Sequence, residues 1–522
     1  MTNWTTAFGA LTHHAARRPD APGLRFPLDD TARSYGEWHR EAAQLAQGLL
    51  ALGLKPGDHI ALLAEARVEW PIVQMAISAM GGVMVPLNTH YRAEEIRYAL
   101  DQSRSKALFV SPSFRSNPYL AMVDSVRGSL PNLGHVITFG DGGDLTYAQV
   151  LKRGEEKTAT LPQPAPRDPA ALLYTSGTTG FPKGALLTHY GMLTNSRSIF
   201  ERLRIGPDDR YVTMIPLFHC AGCCMVMLGV LQNGACYIGM SSFDTEAMFR
   251  IIETERATAM SGVPTAYLAM LRSELRSQYD LSTLRAGTCG GAEVPGEMLA
   301  ACAREFPIPK LANAYGQTET NTLISMPEYE DDDRWGTVGR PLPGFEVRIT
   351  DPTSGKILPA GEIGEIEARS DQNMLGYFDR PKETAETIAP DGWLKTGDLG
   401  MLTPEGRVKI AGGRIRDLII RGGENVYPAE VEKVLNDCPG IAESAVFGVK
   451  DEYYGEIVAA AVRLSGKTSV AEIVAYCNPR MARFKLPSKF FAVTVFPMTA
   501  SGKIRRMELR EMAAENRLTP LD

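Results

Sequence analysis

Apolar and polar positions alternate along the first 150 residues with two different periods. Near-continuous apolar runs, which are typical of strands buried in a parallel sheet, occupy residues 59–64, 83–87 and 106–111. Between the first two runs, apolar residues from Ile72 to Met80 recur at the spacing of a helix face, and residues 93–102 form a second predicted helix. Strands that alternate with helices in this way predict layered α/β structure with parallel strands.

The pattern changes further along the chain. A proline-rich connector at 162–169 leads into an apolar strand at 170–174, after which α/β alternation continues. Residues 344–409 carry short strands separated by glycine and proline turns, which predicts a small β-rich subdomain. We therefore predict an α/β protein. Its large N-terminal domain, residues 1–415, contains layered α/β subdomains and the β-rich subdomain, and a small mobile α+β C-terminal domain spans residues 416–522.

Composition places the chain among large globular proteins. Its 522 residues are 44% hydrophobic and 22% charged, which argues against disordered and fibrous classes. The net charge of −6 gives no general attraction to polyanions, so we predict no nucleic-acid partner. No apolar run reaches 18 residues, which predicts no membrane span. Eight dispersed cysteines and the absence of signal-peptide features predict a cytoplasmic location.

Histidine is confined to the first part of the chain, because all eight histidines lie at or before His219. Any catalytic imidazole must therefore come from this region. Cys220 and Cys223 form a C-x-x-C beside His219. Their neighbours are apolar and no second ligand pair follows, so a buried apolar segment is favoured over a zinc or redox site.

The strongest local signal is a polar glycine loop at residues 174–184, Tyr-Thr-Ser-Gly-Thr-Thr-Gly-Phe-Pro-Lys-Gly. Its glycines let backbone N–H groups approach an anion closely, its hydroxyls add donors, and Lys183 adds a positive charge. The segment is not a Walker A loop, because Pro182 and Gly184 stand where that motif has glycine and serine or threonine. We predict a phosphate-binding loop, with a structural turn as the alternative.

The same segment resembles the signature of the adenylate-forming superfamily, which contains acyl-CoA and aryl-CoA synthetases, peptide-synthetase adenylation domains and beetle luciferases. Six further segments resemble its motifs, in order, over nearly the whole chain. They are Pro216-Leu217-Phe218-His219, Gly290-Gly291-Ala292-Glu293, residues 313–319, Thr396-Gly397-Asp398, residues 413–417 together with 422–425, and residues 497–503. The resemblance implies that a carboxylate attacks the α-phosphate of ATP to give an acyl-adenylate and pyrophosphate. The acyl group would then pass to a thiol, with release of AMP.

The resemblance also implies which residues surround ATP. Glu319 would supply an oxygen to Mg²⁺ on the phosphates, and Thr175 would supply a second. Thr318 would donate to the α-phosphate, and Tyr315 would present its ring to adenine. The implied ATP- and AMP-binding residues are Thr175, Ser176, Gly177, Thr178, Thr179, Gly180, Gly291, Ala292, Glu293, Asn313, Ala314, Tyr315, Gly316, Gln317, Thr318, Asp398, Arg414 and Lys503.

The implied catalytic residues mainly neutralise or orient charge. Lys503 would bridge the substrate carboxylate and the α-phosphate, which reduces the repulsion between two anions as they approach. His219 would orient the carboxylate at the wall of the acyl pocket, together with Gly290 and Gly316. The implied catalytic set is Lys503, Thr318, Glu319, Lys183 and His219.

The last quarter of the chain is implied to contact ribose and CoA. Asp398 has two acceptor oxygens at the spacing of a ribose diol, and Arg414 can reach the same sugar. Arg416 occupies the implied domain hinge, where the superfamily more often has Asp or Lys. Gly422 and Gly423 would line a tunnel for the pantetheine arm after the C-terminal domain rotates. The remaining implied CoA contacts are Tyr454, Phe484 and Lys485.

The residues after Phe218 bear on the identity of the acid. Amino-acid-activating relatives carry an Asp shortly after this Phe, whereas His219, Cys220 and Ala221 follow it here, which argues against an amino acid. No extra Arg follows His219 to bind a second carboxylate, which argues against malonate-like diacids. The cysteines and methionines of this region suit an adaptable hydrophobic pocket. We therefore expect a medium-chain, long-chain or alicyclic acid.

Free CoA is the expected acceptor, so the expected partners are a carboxylic acid, ATP and CoA, with Mg²⁺ as cofactor. The sequence is compatible with a homodimer. The alternatives are a ligase that loads a carrier-protein phosphopantetheine, a luciferase-like oxygenase, and a nucleotide-binding sensor without catalysis. Retention of Lys183, Glu319, Asp398 and Lys503 argues against the sensor, since a degenerate protein would be expected to lose at least one.

Charge is distributed unevenly along the chain. Residues 480–510 carry eight basic side chains against Glu508 alone, a net charge of +7 that leaves −13 for the remainder. The sequence thus predicts an acidic body with a basic C-terminal lid, whose local field would attract the phosphates of ATP and CoA.

Overall fold

The computed structural model describes residues 4–156, 160–175, 182–291, 294, 296–331, 334–414, 417–421, 424–451, 454–481, 483–498 and 504–521. The chain forms two compact units. The first unit contains residues 1–346 and 368–394, and the second contains 347–367 and 395–522. The predicted α/β class is confirmed. The predicted boundary at 415/416 lies outside the described residues and stays a prediction.

Helices occur throughout both units, and their ends follow local side-chain chemistry. Ser34 begins the second helix with a reciprocal cap, because its hydroxyl accepts from the Glu37 N–H while the Glu37 carboxylate accepts from the Ser34 N–H. The helices are α1 (Ala7–Arg17), α2 (Tyr35–Ala51), α3 (Glu69–Ala79), α4 (Ala93–Gln102), α5 (Tyr119–Val126), α6 (Tyr147–Glu155), α7 (His189–Arg202), α8 (Met227–Gln232), α9 (Thr245–Thr254), α10 (Pro264–Arg272), α11 (Gly296–Glu305), α12 (Pro381–Thr387), α13 (Pro428–Asn436), α14 (Val470–Cys477) and α15 (Arg506–Ala514).

The strands range in length from two residues to eleven. Those before residue 345 are β1 (Pro22–Phe26), β2 (Thr31–Ser34), β3 (His59–Leu63), β4 (Val83–Pro86), β5 (Ala107–Val110), β6 (His135–Thr138), β7 (Leu145–Thr146), β8 (Pro169–Thr175), β9 (Lys183–Thr188), β10 (Arg210–Thr213), β11 (Cys236–Ile238), β12 (Ala259–Gly262), β13 (Ala286–Gly290), β14 (Lys310–Ala314), β15 (Ser325–Met326) and β16 (Arg340–Pro341). Those after it are β17 (Glu346–Thr350), β18 (Gly364–Arg369), β19 (Gly376–Tyr377), β20 (Leu394–Leu402), β21 (Val408–Arg414), β22 (Ile419–Arg421), β23 (Glu424–Val426), β24 (Ile441–Asp451), β25 (Gly455–Leu464), β26 (Lys489–Ala492) and β27 (Thr519–Pro520).

The first unit contains an eight-stranded sheet in the order β19-β9-β8-β4-β3-β5-β6-β7. The three predicted strands of the N-terminal region are β3, β4 and β5, and β3 pairs in parallel with both of the others. Leu63, Val85 and Leu108 on this sheet share one buried core with Ile96 of α4 and Val123 of α5. In contrast, β8, β9 and β19 pair antiparallel at one edge.

A seven-stranded sheet in the order β14-β13-β12-β10-β11-β1-β2 forms the second layer of this unit. All neighbours from β14 to β1 are parallel. Parallel strands end on the same edge, so β10, β12, β13 and β14 deliver the residues that follow them to one place. Helices α9, α10 and α11 cover this sheet, with Phe249, Tyr267 and Leu299 in its core.

The second unit contains a four-stranded sheet in the order β17-β18-β20-β21, which matches the predicted β-rich subdomain. Its larger sheet has the order β23-β22-β25-β26-β27, with β24 beside β25. Residues of β25 alternate between two cores, because Val458 packs with α13 and α14 while Ala459 packs with Leu509 of α15. None of the helices in the described part of the chain combines the length and apolar character that a membrane crossing needs.

Candidate active site

The predicted phosphate loop connects two antiparallel strands of the eight-stranded sheet. Thr175 ends β8, Lys183 begins β9, and the two residues are register partners. The Thr175 hydroxyl donates to the Lys183 carbonyl over 3.5 Å. Both side chains therefore stand at the base of the loop. Its predicted phosphate-binding residues, Ser176, Gly177, Thr178, Thr179 and Gly180, lie outside the described residues.

Tyr377, which belongs to none of the sequence motifs, connects Lys183 to Glu319. The Lys183 ammonium lies over the Tyr377 ring, 5.1 Å from the ring centre, and the Tyr377 hydroxyl donates to Glu319 Oε1 over 2.8 Å. Tyr377 lies on β19 and pairs with Ala185 of β9, two residues after Lys183. One aromatic side chain thus contacts both predicted charged residues of the phosphate site.

Glu319 lies in a tight loop that follows β14. Gly316 is required there, because a Cβ at this position would lie 1.9 Å from the Thr322 carbonyl oxygen. A 3₁₀ turn spans Thr318–Thr320, and the chain then reverses through Asn321 at φ 60°. Glu319 is 8% exposed, and its carbonyl accepts the Met374 N–H. The loop holds the Glu319 carboxylate in a nearly buried position beside the strands that flank the glycine loop.

Asn195 of α7 holds this loop by hydrogen bonds. Its carboxamide oxygen accepts from the Thr322 hydroxyl at 2.6 Å and from the Leu323 N–H at 3.2 Å. Its amide nitrogen donates to the Leu323 carbonyl at 2.8 Å and to Gln372 at 3.2 Å. Asn195 is fully buried. A buried amide with all these bonds formed favours one loop conformation, since breaking any of them leaves a polar group without water.

His219 precedes a π-helix, Ala221–Val226, that continues into α8. The Ala221 N–H donates to His219 Nδ1 over 3.2 Å. A ring nitrogen that accepts carries no proton, so the neutral imidazole has its proton on Nε2. Gly222 allows this turn, because a Cβ there would lie 2.2 Å from the Pro216 carbonyl oxygen. The exposed His219 ring therefore offers an N–H donor.

Cys220 joins the His219 segment to the Glu319 loop. The Thr318 hydroxyl donates to Cys220 Sγ over 3.4 Å, and His219 Nδ1 lies 3.7 Å from the same sulfur. Burial raises the pKa of this thiol, but a protonated His219 ring, through its charge and its hydrogen bond, together with the Thr318 hydrogen bond, outweighs burial and lowers the pKa below its ordinary value. The structure thus brings together Thr318 and His219, two predicted catalytic residues.

The C-x-x-C of this region is a buried segment, as predicted. Cys220, Cys223 and Cys224 are buried and carry free thiols. In the described part of the chain, no group of three or more histidine, cysteine and acidic side chains is arranged to hold a metal.

Glycines line the edge where the parallel strands end. Gly290 and Ala314 are register partners, and a Cβ at Gly290 would lie 2.6 Å from the Ala314 carbonyl oxygen. Gly291 follows at φ +84°, and the nearest atom to a Cβ there belongs to Val263, which is 37% exposed. Asn313 and Tyr315 flank Ala314, with the Tyr315 N–H bonded to the Ser325 carbonyl. The predicted residues Ala292 and Glu293 lie outside the described residues.

The predicted ribose residues meet in the second unit. Asp398 on β20 and Arg414 on β21 are register partners across an antiparallel pair. Gly397 turns the chain at φ +71°, and the Asp398 N–H donates to the Thr396 hydroxyl at 3.1 Å. The Gly397 N–H donates to the Glu365 carboxylate. Burial raises the pKa of Glu365, and the Gly397 hydrogen bond only partly offsets it.

Arg421, which is likewise not among the predicted site residues, contacts the predicted CoA residues of the second unit. Its guanidinium donates to the Phe484 carbonyl at 2.8 Å and lies 4.8 Å from the centre of the Tyr454 ring. Lys485 pairs with Glu430 over 2.6 Å. Three predicted residues, Tyr454, Phe484 and Lys485, therefore form one surface. Arg416, Gly422, Gly423 and Lys503 lie outside the described residues.

The predicted basic field of residues 480–510 is weaker than its formal charge suggests. Several of its cations pair with carboxylates of the same unit, and opposite charges at these distances cancel much of the field. The pairs are Lys485–Glu430, Arg505–Glu508, Arg506–Glu432 and Arg510–Glu456.

Two family models match the chain. The model described as AMP-binding enzyme matches residues 11–378, and the model described as AMP-binding enzyme C-terminal domain matches residues 430–503. The first covers the unit that carries Thr175, Lys183, His219 and Glu319.

Curated proteins and solved structures of similar sequence cover almost the whole chain. The putative acyl-CoA synthetase YngI of Bacillus subtilis is 35% identical over 97% of this chain and 96% of its own length. The mitochondrial medium-chain acyl-CoA ligase ACSF2 of Bos taurus is 33% identical over 96% of this chain and 86% of its own. ATP-bound MatB from Rhodopseudomonas palustris superposes with a TM-score of 0.88 at 30% identity, covering 98% of this chain and 99% of that one.

Proposed function

Because this chain belongs to the AMP-binding enzyme family and is an AMP-forming acid–CoA ligase, we propose that it couples a hydrophobic carboxylic acid to CoA. In this proposal ATP and the acid give an acyl-adenylate and pyrophosphate, and the CoA thiol then displaces AMP. The observation that carries the site assignment is the cluster of Lys183, Tyr377 and Glu319 at the base of the glycine loop.

Glu319 and Thr175 are the residues proposed to hold Mg²⁺ on the ATP phosphates. Protein sites for this ion on nucleotides commonly offer one or two carboxylates, with water and phosphate oxygens as the other ligands. The single carboxylate of Glu319, which is nearly buried and accepts the Tyr377 hydrogen bond at Oε1, fits that donor set. When bound, the ion would neutralise charge on the phosphates. Lys183 would add a second positive charge on the same side.

Thr318 and His219 are proposed to act at the reacting carboxylate and α-phosphate. The Thr318 hydroxyl, which donates to Cys220, would turn to donate to an α-phosphate oxygen. The Nε2–H of His219 would donate to one carboxylate oxygen, leaving the other to attack phosphorus. Lys503, from the second unit, would neutralise the repulsion between these two anions.

The acid is proposed to be apolar beyond its carboxylate. Val263 is exposed where the parallel strands end, beside Gly291, which follows the predicted pocket residue Gly290, and half-buried Met214 follows β10. These side chains suit an alkyl or alicyclic chain. Several similar proteins are medium-chain acyl-CoA ligases by name, which supports the same class.

A panel of acids in the presence and absence of CoA tests the proposal. Acid-dependent exchange of pyrophosphate into ATP is expected with straight-chain or alicyclic acids of medium or greater length, and AMP formation is expected to rise when CoA is added. Turnover with malonate or amino acids in preference to these acids would contradict the substrate class. Adenylation without any stimulation by CoA would point instead to a carrier-protein acceptor.

A further inference from the structure

Tyr377 contacts two opposite charges through two different parts of its side chain. The ring face is turned to the Lys183 ammonium at 5.1 Å, and the hydroxyl donates to Glu319 Oε1 at 2.8 Å. A lysine and a glutamate that paired directly would neutralise each other, and each would then be less available to a ligand. An aromatic ring that holds the cation and a phenol that holds the anion leave both charges largely uncompensated.

The backbone around Tyr377 is anchored on both sides. Its N–H donates to the Thr384 hydroxyl at 2.9 Å. The Leu375 N–H donates to the Leu186 carbonyl at 2.9 Å, and the Phe378 N–H donates to the Gly184 carbonyl at 2.8 Å. Gly376 packs against Thr384 at φ +144°, where a Cβ would lie 2.7 Å from the threonine methyl group. The ring is therefore placed by the same strand, β9, that carries Lys183.

We propose that Tyr377 is a positioning residue that orients Glu319 toward a divalent cation and Lys183 toward phosphate, and so sets the metal affinity of the nucleotide site. The inference rests on the proposed function, because it takes Glu319 as the metal-binding carboxylate. In this proposal Tyr377 acts through Glu319 and Lys183. Its hydroxyl holds Oε1 of Glu319 and leaves the remaining lone pairs of the carboxylate for the cation.

Two substitutions separate the two contacts. Tyr377→Phe keeps the ring below Lys183 and removes the hydrogen bond to Glu319, whereas Tyr377→Leu removes both. A hydrogen bond to a charged group is worth roughly tenfold in an equilibrium constant. We expect Tyr377→Phe to raise the Mg²⁺ concentration for half-maximal pyrophosphate exchange about tenfold, with the rate at saturating Mg²⁺ within about twofold of wild type. Tyr377→Leu should also lower that saturating rate.

Tyr279→Phe is the matched control. The Tyr279 hydroxyl also donates to a glutamate, Glu246 Oε1 at 3.2 Å, but on the exposed surface between other elements. This variant should leave the Mg²⁺ dependence unchanged. Urea unfolding midpoints of all variants report whether they fold as wild type does.

A binding measurement without turnover completes the test. Mn²⁺ affinity is measured by electron paramagnetic resonance on complexes with a non-hydrolysable ATP analogue, for wild type, Tyr377→Phe, Glu319→Gln and the double variant. Tyr377→Phe should weaken Mn²⁺ binding about tenfold in the wild-type background and have no further effect in Glu319→Gln. Unchanged Mn²⁺ affinity in Tyr377→Phe, or equal losses in both backgrounds, would overturn the positioning role. Absence of acid-dependent exchange in wild type would instead contradict the proposed function.

Discussion

At the scale of single residues, Gly316 shows how backbone geometry restricts the candidate site. A methyl group at this position would overlap the Thr322 carbonyl oxygen at 1.9 Å, and that carbonyl is backbone that must move. The loop it would displace carries Thr318 and Glu319. The identity of this residue therefore bears on function through placement of its neighbours.

Gly316→Ala is expected to lower the adenylation rate at least about tenfold, since a displacement of one ångström at a reacting group has effects of this size or larger. Gly206→Ala is the control, because nothing lies within 4 Å of a Cβ there. Pyrophosphate exchange measures the effect. A Gly316→Ala protein with the wild-type rate would show that adenylation does not depend on this conformation of the loop.

His189 is a second residue whose burial has a measurable consequence. It is 1% exposed, and within the described part of the chain neither ring nitrogen has a hydrogen-bond partner. Burial lowers its pKa to about 4, and the nearby Asp168 carboxylate opposes this only weakly. The unfolded chain therefore takes up a proton near pH 6.5 that the folded chain resists until about pH 4.

The free energy of unfolding is consequently expected to fall by about 2 kcal/mol from this group between pH 7 and pH 5. In His189→Met this contribution disappears, so the stability difference between the variant and wild type should shift in the variant's favour as the pH falls. Urea unfolding at the two pH values measures the shift. A difference that does not change with pH would contradict the buried neutral imidazole.

At the scale of elements, α7 determines the shape of the loop that carries Glu319. Asn195→Leu would leave the Thr322 hydroxyl and both backbone groups of Leu323 without their partners. We expect the free energy of unfolding to fall by at least about 3 kcal/mol and adenylation to slow, because three buried groups lose their partner and each costs about 1 to 3 kcal/mol. Urea unfolding and pyrophosphate exchange measure the two effects. Wild-type stability in this variant would be inconsistent with the network.

The sequence predicted many of these elements but not how distant ones meet. The apolar runs at 59–64 and 83–87 became β3 and β4, because a strand buried on both faces leaves a continuous apolar pattern. Thr318 and His219 were named from motifs, and their shared contact with Cys220 needed the fold. The sequence did not indicate Tyr377, because its contact with Glu319 spans 58 residues. Its two-residue strand is also too short to show a periodic pattern of apolar residues.

At the scale of the whole molecule, the two compact units contain residues proposed for different half-reactions. The first carries Thr318 and His219, which are proposed to act in adenylation together with Lys503 of the second unit. The second carries the surface of Tyr454, Phe484 and Lys485 that Arg421 holds together. The sequence indicated Tyr454, Phe484 and Lys485 by resemblance alone. It did not indicate Arg421, which stands in no recognisable pattern.

Arg421→Met is expected to raise the KM for CoA several-fold and to leave acid-dependent pyrophosphate exchange unchanged, because it loosens Tyr454 and Phe484 only. Arg463→Met is the control, since Arg463 forms a half-exposed pair with Glu443 on the same unit. Steady-state kinetics at varied CoA concentration measure the KM for CoA of both variants. Equal KM values for CoA in the two variants would contradict the role of Arg421.

The π-helix at Ala221–Val226 has a consequence for how the length of this chain can vary. A π-turn holds one more residue than an α-turn, so it is equivalent to a one-residue insertion in an α-helix. Deleting one residue from this segment should therefore be absorbed as ordinary helical winding, with α8 kept. The segments on either side of the turn would keep their relative orientation, because a π-turn and an α-turn each complete one turn of the helix, so His219 would still face Thr318. The segment is thus a place where the chain can lose one residue while the helix after it and the imidazole before it keep their positions.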